Sequence, residues 1–160
     1  MAYETVIYEQ VEDKIFRLTL NRPEKLNALS QKLLAELDQV MEEYSANPEA
    51  SVLIIRGAGR AFSAGYDLQG TQQPGSGFTV TNDRLGLHRT IERWQRLWSM
   101  PKPTIAQVHG FCLAGGTEFI GHCDIVFASE DAQFGHPAGR ALGILPTLSM
   151  WPVLMGPRKT

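Results

Sequence analysis

Twice in this chain a short apolar strand runs straight into a glycine-bearing turn, and that repeated pattern limits the fold more than any other feature. In the first, Val52 to Arg56 leads into Gly57-Ala58-Gly59-Arg60-Ala61-Phe62-Ser63-Ala64-Gly65-Tyr66-Asp67-Leu68. In the second, Thr104 to Val108 leads into His109-Gly110-Phe111-Cys112-Leu113-Ala114-Gly115-Gly116-Thr117-Glu118. The run Val52-Leu53-Ile54-Ile55 has the composition of a parallel strand buried on both faces. Ligands of α/β sheets sit where such strands end, and glycine lets a ligand come close to the backbone. Two turns of this kind can aim two N–H groups at one oxygen, which is the geometry of an oxyanion hole.

The remaining signals alternate between strand and helix. Val6 to Tyr8 and Ile15 to Leu20 read as a hairpin around the polar turn Glu12-Asp13-Lys14. After Asn21-Arg22-Pro23, Ser30 is a natural N-cap for a helix carrying Leu33, Leu34, Leu37, Val40, Met41 and Tyr44 on one face, which ends near Asn47-Pro48. A second helix is predicted from Leu87, Ile91, Trp94 and Trp98, with Pro101 and Pro103 barring its extension. Gly115 to about His122 reads as a short helix, and Ile125 to Ala128 as another buried strand. Strands separated by helices imply right-handed crossovers and an α/β fold. Gly, Pro, Ser and Gln crowd Thr71 to Gly77, which reads as a loop.

With 160 residues, 43% of them hydrophobic, the chain can bury one core as a single domain over residues 1–160. A formal charge of -2 with scattered Lys and Arg gives no basic patch, so a nucleic-acid partner is not expected. The acidic first residues do not make a secretory signal and no run reaches membrane-spanning length, so a cytoplasmic protein without a membrane partner is expected. Cys112 and Cys123 lie in apolar stretches and read as buried free thiols. His88, His109, His122 and His136 show no ligand spacing, so no metal site is expected. Ser63 is not in a hydrolase elbow, and Gly57-Ala58-Gly59 fits neither a Walker loop nor a dinucleotide fingerprint.

Five strings stand together in one order and spacing: Asn21-Arg22-Pro23-Glu24-Lys25-Leu26-Asn27-Ala28-Leu29, Ala61 to Leu68, His109-Gly110 through Glu118, Cys123-Asp124-Ile125, and Ala132-Gln133-Phe134-Gly135. In this register the chain resembles the crotonase (enoyl-CoA hydratase/isomerase) superfamily. The resemblance implies a spiral of ββα turns and an acyl-CoA thioester as ligand, with no cofactor beyond coenzyme A as part of that substrate. It implies oxyanion N–H donors at Tyr66 and Gly115 and a catalytic acid/base at Glu118. The Lys25-Leu26-Asn27-Ala28 loop, with Ala64, Asp67 and Leu68, resembles the part that holds coenzyme A, Lys25 facing the phosphates. The other reading of Lys25 is a solvated loop lysine, that of Asp67 a turn or cap residue, and that of Glu118 a carboxylate stabilised by a helix N-terminus or reaching back as in a capping box. A homo-oligomer, trimer or hexamer, is also implied.

Two departures narrow the expected chemistry. Hydratases of this family usually carry a second glutamate directly after the proline that follows Phe-Gly-x, whereas here Phe134-Gly135-His136-Pro137 is followed by Ala138. Two-carboxylate hydration is therefore not expected, and a hydrolase or lyase on the same fold, or a catalytically silent acyl-CoA-binding subunit, stand as alternatives. The sequence in hand also lacks the helical C-terminal region that completes the acyl pocket and trimer in the family, so the core without that region is the expected fold. The apolar stretch Leu148 to Met155, with Trp151 and Leu154, predicts an exposed patch and self-association.

Overall fold

A computed structural model of the chain describes residues 3–69, 79–137 and 150–156. The predicted loop Thr71 to Gly77, Ala138 and Leu148 lie outside the described residues. Along the chain follow β1 (Val6–Glu12), β2 (Ile15–Leu20), a 3-10 turn (Pro23–Lys25), α1 (Gln31–Ala46), β3 (Val52–Gly57) and β4 (Ala61–Ser63). Then come α2 (Val80–Trp98), β5 (Thr104–Val108), β6 (Phe111–Leu113), α3 (Gly115–Ile120), β7 (Ile125–Ala128), β8 (Gln133–Gly135) and α4 (Met150–Met155).

The strands form two sheets. Five of them pair in the order β1-β2-β3-β5-β7, and three short ones in the order β4-β6-β8. Only β1 and β2 are antiparallel; the other pairs are parallel and so need crossovers. Three of the long strands are followed by a short strand that joins the second sheet, β3 by β4, β5 by β6 and β7 by β8. This repetition is the ββα spiral, and it stacks the two glycine turns beside one another. The three short strands were not separable in the sequence from the turns that contain them, because three residues carry no period.

The hairpin and α1 follow the sequence closely. Ser30 Oγ accepts Leu33 N–H at 3.2 Å as the N-cap of α1. Leu33, Leu34, Leu37, Val40, Met41 and Tyr44 are all buried, in one core with the row Leu18, Ile55 and Ala106 that runs in register across three strands. Glu36 is buried on the same helix because its carboxylate accepts Glu4 N–H, Thr5 N–H and the Thr5 hydroxyl at 2.6–3.0 Å, tying the chain start to α1.

Three expectations are corrected. The β3 run is fully buried on one face only: Leu53 and Ile55 are inside, while Ile54 sits in a row with Arg17, Ile105 and Ile125 on a half-covered face. Strand β7, expected to be buried, is exposed along its length; among the described residues it is the end strand of the sheet, paired with β5, and little packs against its faces. In α2, Trp94 and Leu97 are buried, whereas Leu87 and Trp98 are exposed. Asp38 of α1 sets that orientation by accepting Arg93 Nε and Nη2, each at 2.8 Å, and Arg96 Nη2 at 2.7 Å.

Candidate active site

The site forms where the two glycine turns meet. Gly65 has φ +95°, and a Cβ there would lie 2.9 Å from Ala114 Cβ, 2.9 Å from Leu113 O and 3.2 Å from Gly115 N, so only glycine lets the turns approach this closely. A parallel bridge between Leu29 and Tyr66 fixes the first turn: Leu29 N–H donates to Gly65 O and Asp67 N–H to Leu29 O. Tyr66's own N–H therefore projects away from Leu29, since successive backbone groups of an extended segment alternate in direction. In the second turn Ala114 takes φ 46° with ψ −117°, a sparsely populated positive-φ conformation that costs on the order of 1–3 kcal/mol in a non-glycine residue and recurs at functional sites. Its carbonyl accepts Thr117 N–H, Glu118 N–H and the Thr117 hydroxyl, which leaves Gly115 N–H at the open first turn of α3.

Glu118 is 4% exposed, one turn into α3. Its Oε2 accepts the Tyr66 hydroxyl at 2.9 Å, and Tyr66 Oη lies 3.0 Å from Trp94 Nε1. The Tyr66 ring lies over Gly115, where an added Cβ would be 2.6 Å from Tyr66 Cε2. Burial, with Glu118 beside it, pushes the phenol well above its ordinary pKa, so it remains a hydroxyl donor. His122 Nδ1 is 2.7 Å from Glu118 O and must donate, since a carbonyl only accepts; its ring stacks on Trp94.

The predicted coenzyme A loop lies beside the first turn. Leu26 O accepts Ala64 N–H at 2.9 Å, and Leu26, Ala28 and Ala64 are half-buried, whereas Lys25 and Leu68 are exposed. Asp67 is a turn residue: Oδ1 accepts Gln69 N–H, and Oδ2 pairs with Arg22 Nη1 at 2.8 Å, which also donates to Ala28 O. The Arg22 guanidinium holds the Asp67 carboxyl below its usual range. Glu118, Tyr66, Gly115 and Ala64 are thus brought to one place, with Lys25, Leu26, Ala28, Asp67 and Leu68 on the adjoining rim.

Three residues shape this place in ways the sequence did not indicate, Asn27 being read there only as part of the coenzyme A loop. Asn27, fully buried with φ 54°, donates from Nδ2 to Ala58 O and Ala61 O and accepts Arg22 N–H at Oδ1. Ser63 Oγ donates to Asn27 O and accepts Gly65 N–H. Trp94 reaches the site from α2, and the only sequence signal for it was its place on a helix face. Both cysteines are buried, with the Cys112 thiol pushed up to about 12 by desolvation, which makes it a poor nucleophile. Among the described residues no group of three or more His, Cys, Asp or Glu is placed to hold a metal ion, and no helix is long and apolar enough to cross a membrane.

The sequence model for "Enoyl-CoA hydratase/isomerase" matches residues 10–159, and the chain belongs to this family. A probable enoyl-CoA hydratase of Rhizobium meliloti is 36% identical over 91% of this chain and 54% of its own length. A peroxisomal Delta(3,5)-Delta(2,4)-dienoyl-CoA isomerase of Arabidopsis thaliana is 36% identical over 83% of this chain and 51% of its own. The crystal structure of an enoyl-CoA hydratase/isomerase from Xanthobacter autotrophicus Py2 superposes with TM-score 0.90 at 39% identity, covering 99% of this chain and 58% of that one. The fold is the crotonase-type α/β spiral, and the chain spans about half the length of the curated relatives it matches.

Proposed function

We propose that this chain binds an acyl-CoA thioester and stabilises its enolate-like anion through the N–H groups of Tyr66 and Gly115, with Glu118 as the acid/base. The observation that carries this reading is a buried carboxylate one turn into α3, set against the point where two glycine turns converge. Charge developing on the thioester oxygen would meet two fixed donors, which need no reorganisation during the reaction. Glu118 would take a proton from carbon or deliver one to it. Coenzyme A would lie along the Lys25 to Ala28 loop and the Ala64 to Leu68 rim, with Lys25 as a mobile charge near the phosphates. The relatives' names support a coenzyme A thioester as the substrate class.

Ala138 directs the subgroup. Adding water across a double bond asks one group to deprotonate water and another to supply the α-proton, and a methyl side chain does neither. A single carboxylate suffices for double-bond migration, since it can accept a proton from one carbon and return it to another with no atom gained or lost. The test is a panel of enoyl-, 3-hydroxyacyl- and haloacyl-CoA thioesters with wild type, Glu118→Gln and Ala138→Glu. Expected are isomerisation with poor hydration in wild type, loss of proton transfer in Glu118→Gln, and raised hydration in Ala138→Glu. Full activity in Glu118→Gln removes the mechanism, and efficient hydration by wild type removes the one-base assignment.

A further inference from the structure

Among the described residues, the Tyr66 side chain stands apart from the backbone role given to that position. Indole Nε1–H only donates, so at 3.0 Å it must give its proton to Tyr66 Oη. The phenol has one proton of its own, and the acceptor 2.9 Å away is Glu118 Oε2. The direction of the relay is thereby fixed: Trp94 to Tyr66 to Glu118. We infer that the Tyr66 phenol is a positioning residue that holds Glu118 as a proton acceptor by keeping Oε2 hydrogen-bonded. The inference rests on the reading of Glu118 as acid/base.

Three observations support it. Glu118 is nearly fully buried, so a charged carboxylate there needs a protein donor in place of water. The Tyr66 hydroxyl is such a donor, and charge-assisted hydrogen bonds are the stronger kind. The ring is also held in place, clamped over Gly115 and tied by its hydroxyl to Trp94, so the donor is pre-positioned. The other groups facing this relay are His122, which donates to the Glu118 carbonyl from the same helix, and Arg93 of α2, which favours the phenol's ionised form and is itself paired with Asp38.

Tyr66→Phe keeps the backbone N–H and the ring but removes the hydroxyl. Carbon-13 NMR of protein labelled at the glutamate carboxyl, with Glu118 assigned by its loss in Glu118→Gln, reads the titration directly. The carboxyl pKa of Glu118 should rise by about one unit in Tyr66→Phe. Replacing Tyr66 with 3-fluorotyrosine, a nearly isosteric and more acidic phenol, should move it the opposite way, and decides the matter if Tyr66→Phe does not fold. With a thioester that is turned over, the acid limb of the pH-rate profile should shift with the carboxyl, through kcat more than KM. An unchanged Glu118 titration in both variants overturns the inference. Absence of turnover with every thioester overturns the proposed function instead, and the NMR titration still decides the role of Tyr66.

Discussion

Asn27 shows how one side chain can set the geometry of a site it does not enter. Its amide closes three hydrogen bonds, to the carbonyls of Ala58 and Ala61 and from the N–H of Arg22, while its own backbone sits in the left-handed region that Asn tolerates better than most residues. Asn27→Ala should destabilise the fold by about 3–4 kcal/mol, from lost bonds in a buried place plus the left-handed cost for alanine. Urea denaturation reads this, and a loss below about 1 kcal/mol would show that water replaces the amide. Gly115 is a different case. Any side chain there meets the Tyr66 ring, so substitution at Gly115 displaces the hydroxyl that Glu118 accepts as well as the proposed backbone donor. The string containing Asn27 was legible in the sequence as a family motif, but its three partners were not, since they lie five to thirty-four residues away in the chain.

At the level of elements, the Arg22–Asp67 pair joins the 3-10 turn region to the loop after β4, and so joins the two sides of the proposed coenzyme A rim. The guanidinium lowers the folded-state pKa of Asp67, while the unfolded value is near 3.9. Stability from this pair is then fully present above the unfolded value and is lost as pH falls through the folded one. Asp67→Asn should be less stable than wild type at about pH 5–7, and the two curves should converge on acidification below about pH 4. Denaturation across a pH series checks this; a stability difference that does not change with pH would mean the pair acts through shape rather than charge. Helix α2 carries a related lesson. Its period placed Trp94 on a helix face, but Asp38 of α1 chose the rotation that buries Trp94 and Leu97 and leaves Leu87 and Trp98 outside.

For the whole molecule, the sheet end at β7 is only partly covered among the described residues. Ile125 and Phe127 are exposed on one face of the sheet, and Val126 on the other, where Phe134 of β8 and Leu154 of α4 are exposed as well. A groove of about 510 Å³ opens there, lined by Ile120, Cys123, Val126, Phe134, Trp151 and Leu154 on the face of α3 that does not carry Glu118. Contiguous apolar surface of this kind drives association. The 160-residue chain should therefore self-associate at high concentration, and Val126→Lys with Phe134→Lys should reduce this, as read by multi-angle light scattering. A monodisperse wild-type monomer at high concentration would show that this face is tolerated in water.

The sequence by itself determined the family, the hairpin, α1 and the two glycine turns, because each is written in contiguous residues whose spacing or backbone freedom has a local physical reason. It also put Glu118 one turn after Gly115, a relation that follows from helix geometry alone. Tertiary structure decided the rest. The contact of Trp94 with Tyr66 spans 28 residues and that of Tyr66 with Glu118 spans 52, and a hydrogen bond between side chains on different elements leaves no period in the sequence. The same holds for strands: composition cannot distinguish β3, central and half-covered, from β7, an exposed edge, because burial depends on what packs against a strand rather than on the residues within it.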